Sequence, residues 1–263
     1  MTQPRWKILA AIAAIAVGLP AVTNAQMPSK KTEGEGPTEA RAEALRQRTA
    51  QRWLSQLERI EGQILAGKSR KAYRASKVLS ESMMNSIRSG EDTGMALALA
   101  TVMRALAAAS SGDEMEALWH WQVAQQLFPE INQLKLEPYG EAGELLERNP
   151  AKEPLVCEKP SCLWDQGWLR KDGITPPKKK RAPYPQFPRA SQGRQDPLSV
   201  ILQVVINSSG IPTRPVIVKS NGELTMVYSA LEAFRHWRFR PALADGKPTS
   251  ALYNLTINYL PRR

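Results

Sequence analysis

Between Ala230 and Pro248 a short amphipathic helix runs, without a linker, into an extended stretch carrying Trp237, Arg238, Phe239 and Pro241. Val227, Ala230, Leu231 and Phe234 give that helix one apolar face, which must lie on a sheet that begins where the helix ends. The strands of such a sheet are legible on both sides. Upstream, Leu198 to Asn207 places Val200, Leu202, Val204 and Ile206 on one face, Ser208-Ser209-Gly210 turns the chain, and a short strand follows Pro215 from Val216 to Lys219. Downstream, Tyr253, Leu255, Ile257 and Tyr259 alternate with Asn254, Thr256 and Asn258. The expected order is strand, turn, strand, helix, Phe239 segment and final strand. Trp237 and Phe239 are expected in its core, where losing either would cost on the order of 3 to 5 kcal/mol.

The first half of the chain has a different period. Thr38 is placed to cap a helix whose apolar stripe is Ala42, Leu45, Trp53, Leu57, Ile60 and Ile64. Ser69 opens a second helix with Ala72, Tyr73, Ser76, Leu79, Met83 and Ile87 inward, and Thr93 a third with Leu99, Met103, Leu106 and Ser110. Asp113 followed by Glu116 resembles a capping box for a fourth, with Ala117, Trp121, Ala124 and Leu127 on its inner face. Short Gly-containing turns suggest antiparallel hairpins. Gly112, Ala117, Ala124 and Pro129 have the spacing of a tetratricopeptide (TPR) second helix. The echo at Gly67 is 45 residues away rather than the 34 of that repeat, so generic helical hairpins remain an alternative.

The chain of 263 residues, 42% hydrophobic, accommodates two modest domains and a connector. Arg5 and Lys7, the uncharged run Ile8 to Val22 and Thr23-Asn24-Ala25 read as a secretory signal peptide over residues 1–25. The competing reading is an uncleaved anchor, disfavoured by a short run containing Pro20 where a span needs about 20 residues. For an exported protein the net charge of +11 points away from nucleic acid, towards acidic protein, anionic lipid or cell-wall polymer, or plain solubility. Cys157 and Cys162 are expected as a disulfide closing a tight loop. A metal site would need two more ligands, and the two histidines, His120 and His236, fall in separate helices.

Residues 26–37 read as a flexible lead-in, 38–149 as the helical domain, 150–189 as a Pro- and Lys-rich connector with the cysteine loop, and 190–263 as the C-terminal module. The connector carries Trp164 and Trp168, which are expected to dock locally. It also carries the cluster Lys178 to Arg181, whose bland reading is a solvated linker and whose functional reading is contact with an anionic surface. Enzyme signatures are missing from the sequence: it has no phosphate-binding glycine loop, no His-Glu-x-x-His and no Gly-x-Ser-x-Gly elbow. No catalytic residue, metal or cofactor is expected, and both histidines read as structural.

The run Trp237 to Ala242, the turn Asp245-Gly246-Lys247-Pro248 and Tyr184-Pro185 together resemble the C-terminal domain of the TonB family, over roughly the last third of the chain. The resemblance implies a small C-terminal β-β-α-β domain and a function in binding proteins; with the TPR-like all-α hairpins read from the spacing upstream, the expected fold class is α+β. Its motif residues are Trp237, Arg238, Phe239, Pro241 and Gly246. Implied partner contacts are Tyr184, Pro185, Leu252, Asn254, Thr256, Asn258 and Leu260, through addition of an extended peptide to the terminal strand of the sheet. Proline at Asn254, Thr256 and Asn258 is expected to act differently from site to site, as alternate N–H groups point opposite ways. Implied partners are an outer-membrane receptor or other envelope protein, with ExbB and ExbD if the N-terminus stays in the inner membrane as an energy transducer. A second protein partner is expected at the helical domain. The location is the periplasm, or in the alternative a single-pass inner-membrane protein facing it.

Overall fold

A computed structural model describes residues 37–86, 94–154, 164–165, 168–169, 173–189 and 197–259. The apolar segment 8–22, Ile87, Thr93, Cys157, Cys162 and Leu260 lie outside them. Among the described residues no helix is long and apolar enough to cross a membrane.

Four helices come first: α1 (Pro37–Leu65), α2 (Ser69–Ser86), α3 (Gly94–Ala109) and α4 (Glu114–Leu127). The turns after α1 and α3 place Gly67 and Gly112 at φ +71° and +80°. The inner stripe of α1 starts at Trp53, whereas Leu45, expected on it, is 66% exposed. The helix spans 29 residues against 18 for α2, so at 1.5 Å per residue its first turns overrun their neighbour by about 16 Å. Helix α3 departs from its expected single stripe, being buried all round from Leu97 to Ala108. It is the axis of the block, with α1, α2 and α4 packed around it. Ser110, expected on its inner face, is past its end and exposed. At α4 the Asp113 carboxylate accepts the Glu116 N–H at 3.2 Å, the first half of a capping box.

Two 3-10 turns (Pro129–Gln133 and Glu137–Tyr139) and α5 (Glu141–Glu147) close the helical part, tied to α1 by the Tyr139 hydroxyl, which donates to Glu61 at 2.6 Å. The connector is expected to run partly as extended, polyproline-like chain, yet four short stretches of it are paired strands. They are β1 (Trp164–Asp165), β2 (Trp168–Leu169), β3 (Ile174–Thr175) and β4 (Lys178–Arg181). The rest follows as β5 (Leu198–Ile206), β6 (Pro212–Ser220), α6 (Leu224–Phe234), β7 (Arg238–Arg240), β8 (Ala242–Ala244), β9 (Lys247–Thr249) and β10 (Ala251–Tyr259). The chain is therefore α+β.

The main sheet has the order β1-β2-β10-β5-β6, antiparallel throughout; β8 pairs β3 and β9, and β4 pairs β7. Asp245 and Gly246, at φ +49° and +76°, turn β8 into β9. Along β10, Ala251, Tyr253, Leu255, Ile257 and Tyr259 are buried while Thr256 and Asn258 are exposed, so the alternation in the sequence is the alternation of faces. Helix α6 covers the buried face and is itself covered by α2 and α4. Phe234, Trp237, Phe239 and Tyr253 form a chain of ring contacts at 5.0 to 6.2 Å. Gly210 backs this chain: a Cβ there would stand 2.0 Å from the Phe239 carbonyl, and its φ is +75°. One contiguous apolar core joins the helices to the sheet.

Candidate partner-binding site

The sheet has two long edges. On β6, the side-chain amide of Gln126 from α4 accepts the Ile217 N–H and donates to the Pro215 carbonyl, each at 2.5 Å. One glutamine thus occupies adjacent outward backbone groups as a neighbouring strand would, and β6 packs against α4 beside it.

On the other side β10 is not the terminal strand that the sequence suggested. It pairs with β5 through all nine residues, and across its far edge with β2 at Tyr253↔Trp168. From Leu255 to Tyr259 no further strand pairs with that far edge among the described residues. Leu252 and Asn254, which flank the Tyr253↔Trp168 pair, therefore lie where β2 closes the edge, whereas Thr256 and Asn258 lie on the open stretch.

The direction of their N–H groups follows from β5. The Val205 carbonyl accepts the Thr213 hydroxyl at 3.1 Å, Asn207 donates to Ile211 at 3.0 Å, and Ser199 donates to Asn221 Oδ1 at 2.7 Å. Odd-numbered residues of β5 thus turn their backbone towards β6, and even-numbered ones towards β10. Their partners in register, Tyr253, Leu255, Ile257 and Tyr259, face back to β5. Asn254, Thr256 and Asn258 all turn away from β5, Asn254 towards β2 beside the Tyr253↔Trp168 pair and Thr256 and Asn258 to the open edge. The expectation that alternate N–H directions separate prolines at these three sites is corrected: they are two residues apart and share one direction, and what sets Asn254 apart is its place beside β2. Leu255 and Ile257 are the contrasting positions. On the outer face Asn254 Oδ1 accepts from Gln203 Nε2 at 3.1 Å, whereas Thr256 and Asn258 make no side-chain hydrogen bond among the described residues.

Tyr184 and Pro185 sit on a segment pinned on both sides. The Trp237 indole donates to the Pro183 carbonyl at 2.9 Å, the Ser229 hydroxyl donates to the Gln186 carbonyl, and the Phe187 ring meets Tyr259 edge-on at 5.9 Å. Between these anchors Tyr184 stands 95% exposed. Trp237, Phe239 and Gly246 serve the framework, Arg238 folds back on the Arg235 and Trp237 carbonyls, and Pro241 joins β7 to β8.

Sequence reasoning missed the polar cluster that fixes this module to the helices. Arg104 of α3, wholly buried, donates to Glu232 of α6 at 3.0 Å and lies 5.2 Å from the Tyr73 ring centre. Arg235 bonds to Glu116 of α4, reaches the Tyr73 hydroxyl at 3.2 Å and His120 Nε2 at 2.8 Å. The Tyr73 hydroxyl donates to Glu116 at 2.9 Å. Glu116 therefore does not return the capping bond; its carboxylate serves the interface. His120 Nε2 lies between the Arg235 guanidinium at 2.8 Å and the Glu116 carboxylate at 3.2 Å, and its Nδ1 is 3.8 Å from Glu232. Burial, then Arg104, push the His120 pKa down to about 4. Burial alone would raise Glu116, but bonding to His120 and the charge of Arg235 hold it well below the usual carboxylate range. Glu232 is likewise lowered: burial alone would raise it, and Arg104, His120 and Arg235 together outweigh that. His236 is exposed and bonds to Arg235 at 3.2 Å. The signal for the cluster was a lone arginine in the apolar run Gly94 to Ala109.

Residues 183–261 match the family model described as Gram-negative bacterial TonB protein C-terminal. The Protein TonB of Vibrio cholerae is 27% identical over 75 residues, covering 28% of this chain and 31% of that one, so the match spans about a third of this relative. The solution NMR structure of the Pseudomonas aeruginosa TonB CTD shares 22% identity, covering 36% of this chain and 93% of that chain at a TM-score of 0.30. Residues 183–261 are a domain of the TonB C-terminal family, and the helices ahead of them lie outside that match.

Proposed function

We propose that this chain is a periplasmic, non-enzymatic protein that binds an envelope partner by taking an extended segment of it as an added strand on β10, in the service of transport across the outer membrane. The observation that carries this reading is the unequal treatment of the edges. Gln126 caps Pro215 and Ile217 on β6, while Thr256 and Asn258 turn their N–H groups to an edge unpaired among the described residues. In strand addition the main chain supplies affinity and alternate side chains supply preference. Thr256 and Asn258 face outward to do the second, and Tyr184 offers an aromatic contact beside the end of β10. The partner is an outer-membrane receptor or another envelope protein.

The test is a photo-crosslinking residue placed at Thr256, or as control at Val218, which is exposed on β6. In the native host's envelope one protein should be captured from Thr256 and none from Val218. Equal capture from both, or capture from Tyr184 alone, would move the site off this edge.

A further inference from the structure

The segment Lys178 to Arg181, which composition alone makes a solvated linker, is a strand paired with the strand of the Trp-Arg-Phe motif. In this ribbon Lys178 stands opposite Arg240, Arg181 opposite Arg238, and Lys179 opposite Phe239. Phe239 is buried and the Lys179 ammonium lies 5.1 Å from the Trp237 ring centre, so Lys179 belongs to the inner face. The pairs Lys178 with Arg240 and Arg181 with Arg238 consequently share the outer face, where all four residues are exposed. Lys180 falls at the register shift between Lys179 and Arg181 and is exposed too. Among the described residues Lys178, Lys180, Arg181 and Arg240 have no carboxylate partner.

Like charges directly opposite one another weaken a strand pair. Two such pairs on one short ribbon put cost on the fold for no packing gain, and an anionic partner outside the chain would reverse that sign. We propose that the outer face of the β4–β7 ribbon is a contact for the anionic headgroups of a lipid bilayer. The choice of bilayer over acidic protein rests on the make-up of the face. Centres of protein interfaces are depleted of charge and rich in aromatic and shaped contacts, whereas this face is cations with nothing apolar between them. Such a surface suits a laterally mobile array of phosphates, which needs no matched shape. Tyr184, three residues after Arg181 and almost wholly exposed, supplies the amphipathic ring that settles at headgroup depth.

The full-length chain and the variant Lys178→Gln/Lys180→Gln/Arg181→Gln are compared by co-sedimentation with phosphatidylcholine vesicles, with and without phosphatidylglycerol. Neutral vesicles read any contribution of the apolar residues 8–22, which both proteins share. Each basic residue near an anionic surface contributes about fivefold, so the variant should lose roughly a hundredfold in partitioning onto the anionic vesicles. High salt should do the same to the wild type. Lys178→Glu sets a carboxylate opposite Arg240, and should raise the melting temperature while lowering vesicle binding, which separates a surface role from a folding defect. Capture by Thr256 crosslinking should be unchanged in all variants. Wild-type partitioning by the triple variant overturns the proposal. So does competition by inorganic phosphate at one site, which would mean a single-anion pocket, and so does binding to polyglutamate without binding to anionic vesicles, which would mean an acidic polypeptide.

Discussion

The two long edges of the main sheet carry the same backbone chemistry and meet opposite fates. At β6 a glutamine from a helix far away in sequence satisfies Pro215 and Ile217; at β10 the N–H groups of Thr256 and Asn258 turn to an edge with no strand among the described residues. An unpaired edge is a standing invitation to another strand, and proteins commonly blunt such edges. Blunting one and leaving the other directs incoming chain to a single place. The helical block thus does more than precede the module, because the plug is part of α4 and α4 is held there by buried charge.

The sharpest way to break the comparison is within β10 itself. Leu255→Pro removes an N–H from the β5 ladder and a buried side chain together, so it should destabilise by roughly 4 kcal/mol or more, or prevent folding. Thr256→Pro removes an outward N–H from an exposed position and should cost much less, while abolishing partner capture. Thermal unfolding and crosslinking of both variants decide the matter. Should Thr256→Pro unfold as Leu255→Pro does, the assignment of N–H directions is wrong.

Next in size is the anchor that keeps the plug in place. Glu232→Ala leaves Arg104 charged and fully buried with its carboxylate gone, a loss that costs about 3 to 5 kcal/mol. Arg104→Met with Glu232→Leu removes both charges and should cost far less than the single change. The pair measured by denaturant unfolding separates an essential charge pair from one that merely fills space. Equal losses in the two would mean that shape, not charge, docks α6.

The same cluster predicts an acid limb. His120 titrates near 4 when folded and near 6.5 when unfolded, so between those values only the unfolded chain takes the proton. Stability is therefore full above about 6.5 and falls as pH drops towards 4, by on the order of 3 kcal/mol in all. The lowered Glu116 and Glu232 act in the same sense, contributing above about 4.5 and losing that contribution as acid protonates them. Melting temperature followed from pH 7 to 4 should fall, and His120→Gln should flatten the upper part of the fall.

How much of this was legible follows from the range of each contact. The faces of β10, the Asp113 cap and the aromatic chain through Trp237 and Phe239 depend on neighbours two to four residues away or on one local junction, and their periods are written in the sequence. The anchor joins Tyr73, Arg104, Glu116 and His120 to Glu232 and Arg235, and its links from Arg104, Glu116 and His120 to those last two each span more than a hundred residues. No local pattern encodes that, though Arg104 alone in an apolar helix announced that some partner was needed. Lys178 to Arg181 misled because four consecutive cations look like solvated chain, and their pairing partner β7 lies beyond the next two long strands. Gln126 gave no signal at all, since a glutamine late in a helix is ordinary until a strand edge arrives beside it.

That glutamine allows the smallest and most specific test. Gln126→Ala strips the partners from the Pro215 carbonyl and the Ile217 N–H, and should cost about 1 to 2 kcal/mol, less where water reaches them. Gln126→Glu keeps an acceptor for Ile217 but turns a carboxylate towards the Pro215 carbonyl, so at neutral pH it should cost more than alanine despite its closer shape. The outcome that matters is at the edge. With the plug gone, β6 presents the same open backbone as β10, and a crosslinker at Val218 should begin to capture chain, either the partner or a second copy, while capture at Thr256 persists. A Gln126→Ala protein that stays monodisperse and captures nothing at Val218 would show that α4 itself, rather than the amide it carries, is what closes this side of the sheet.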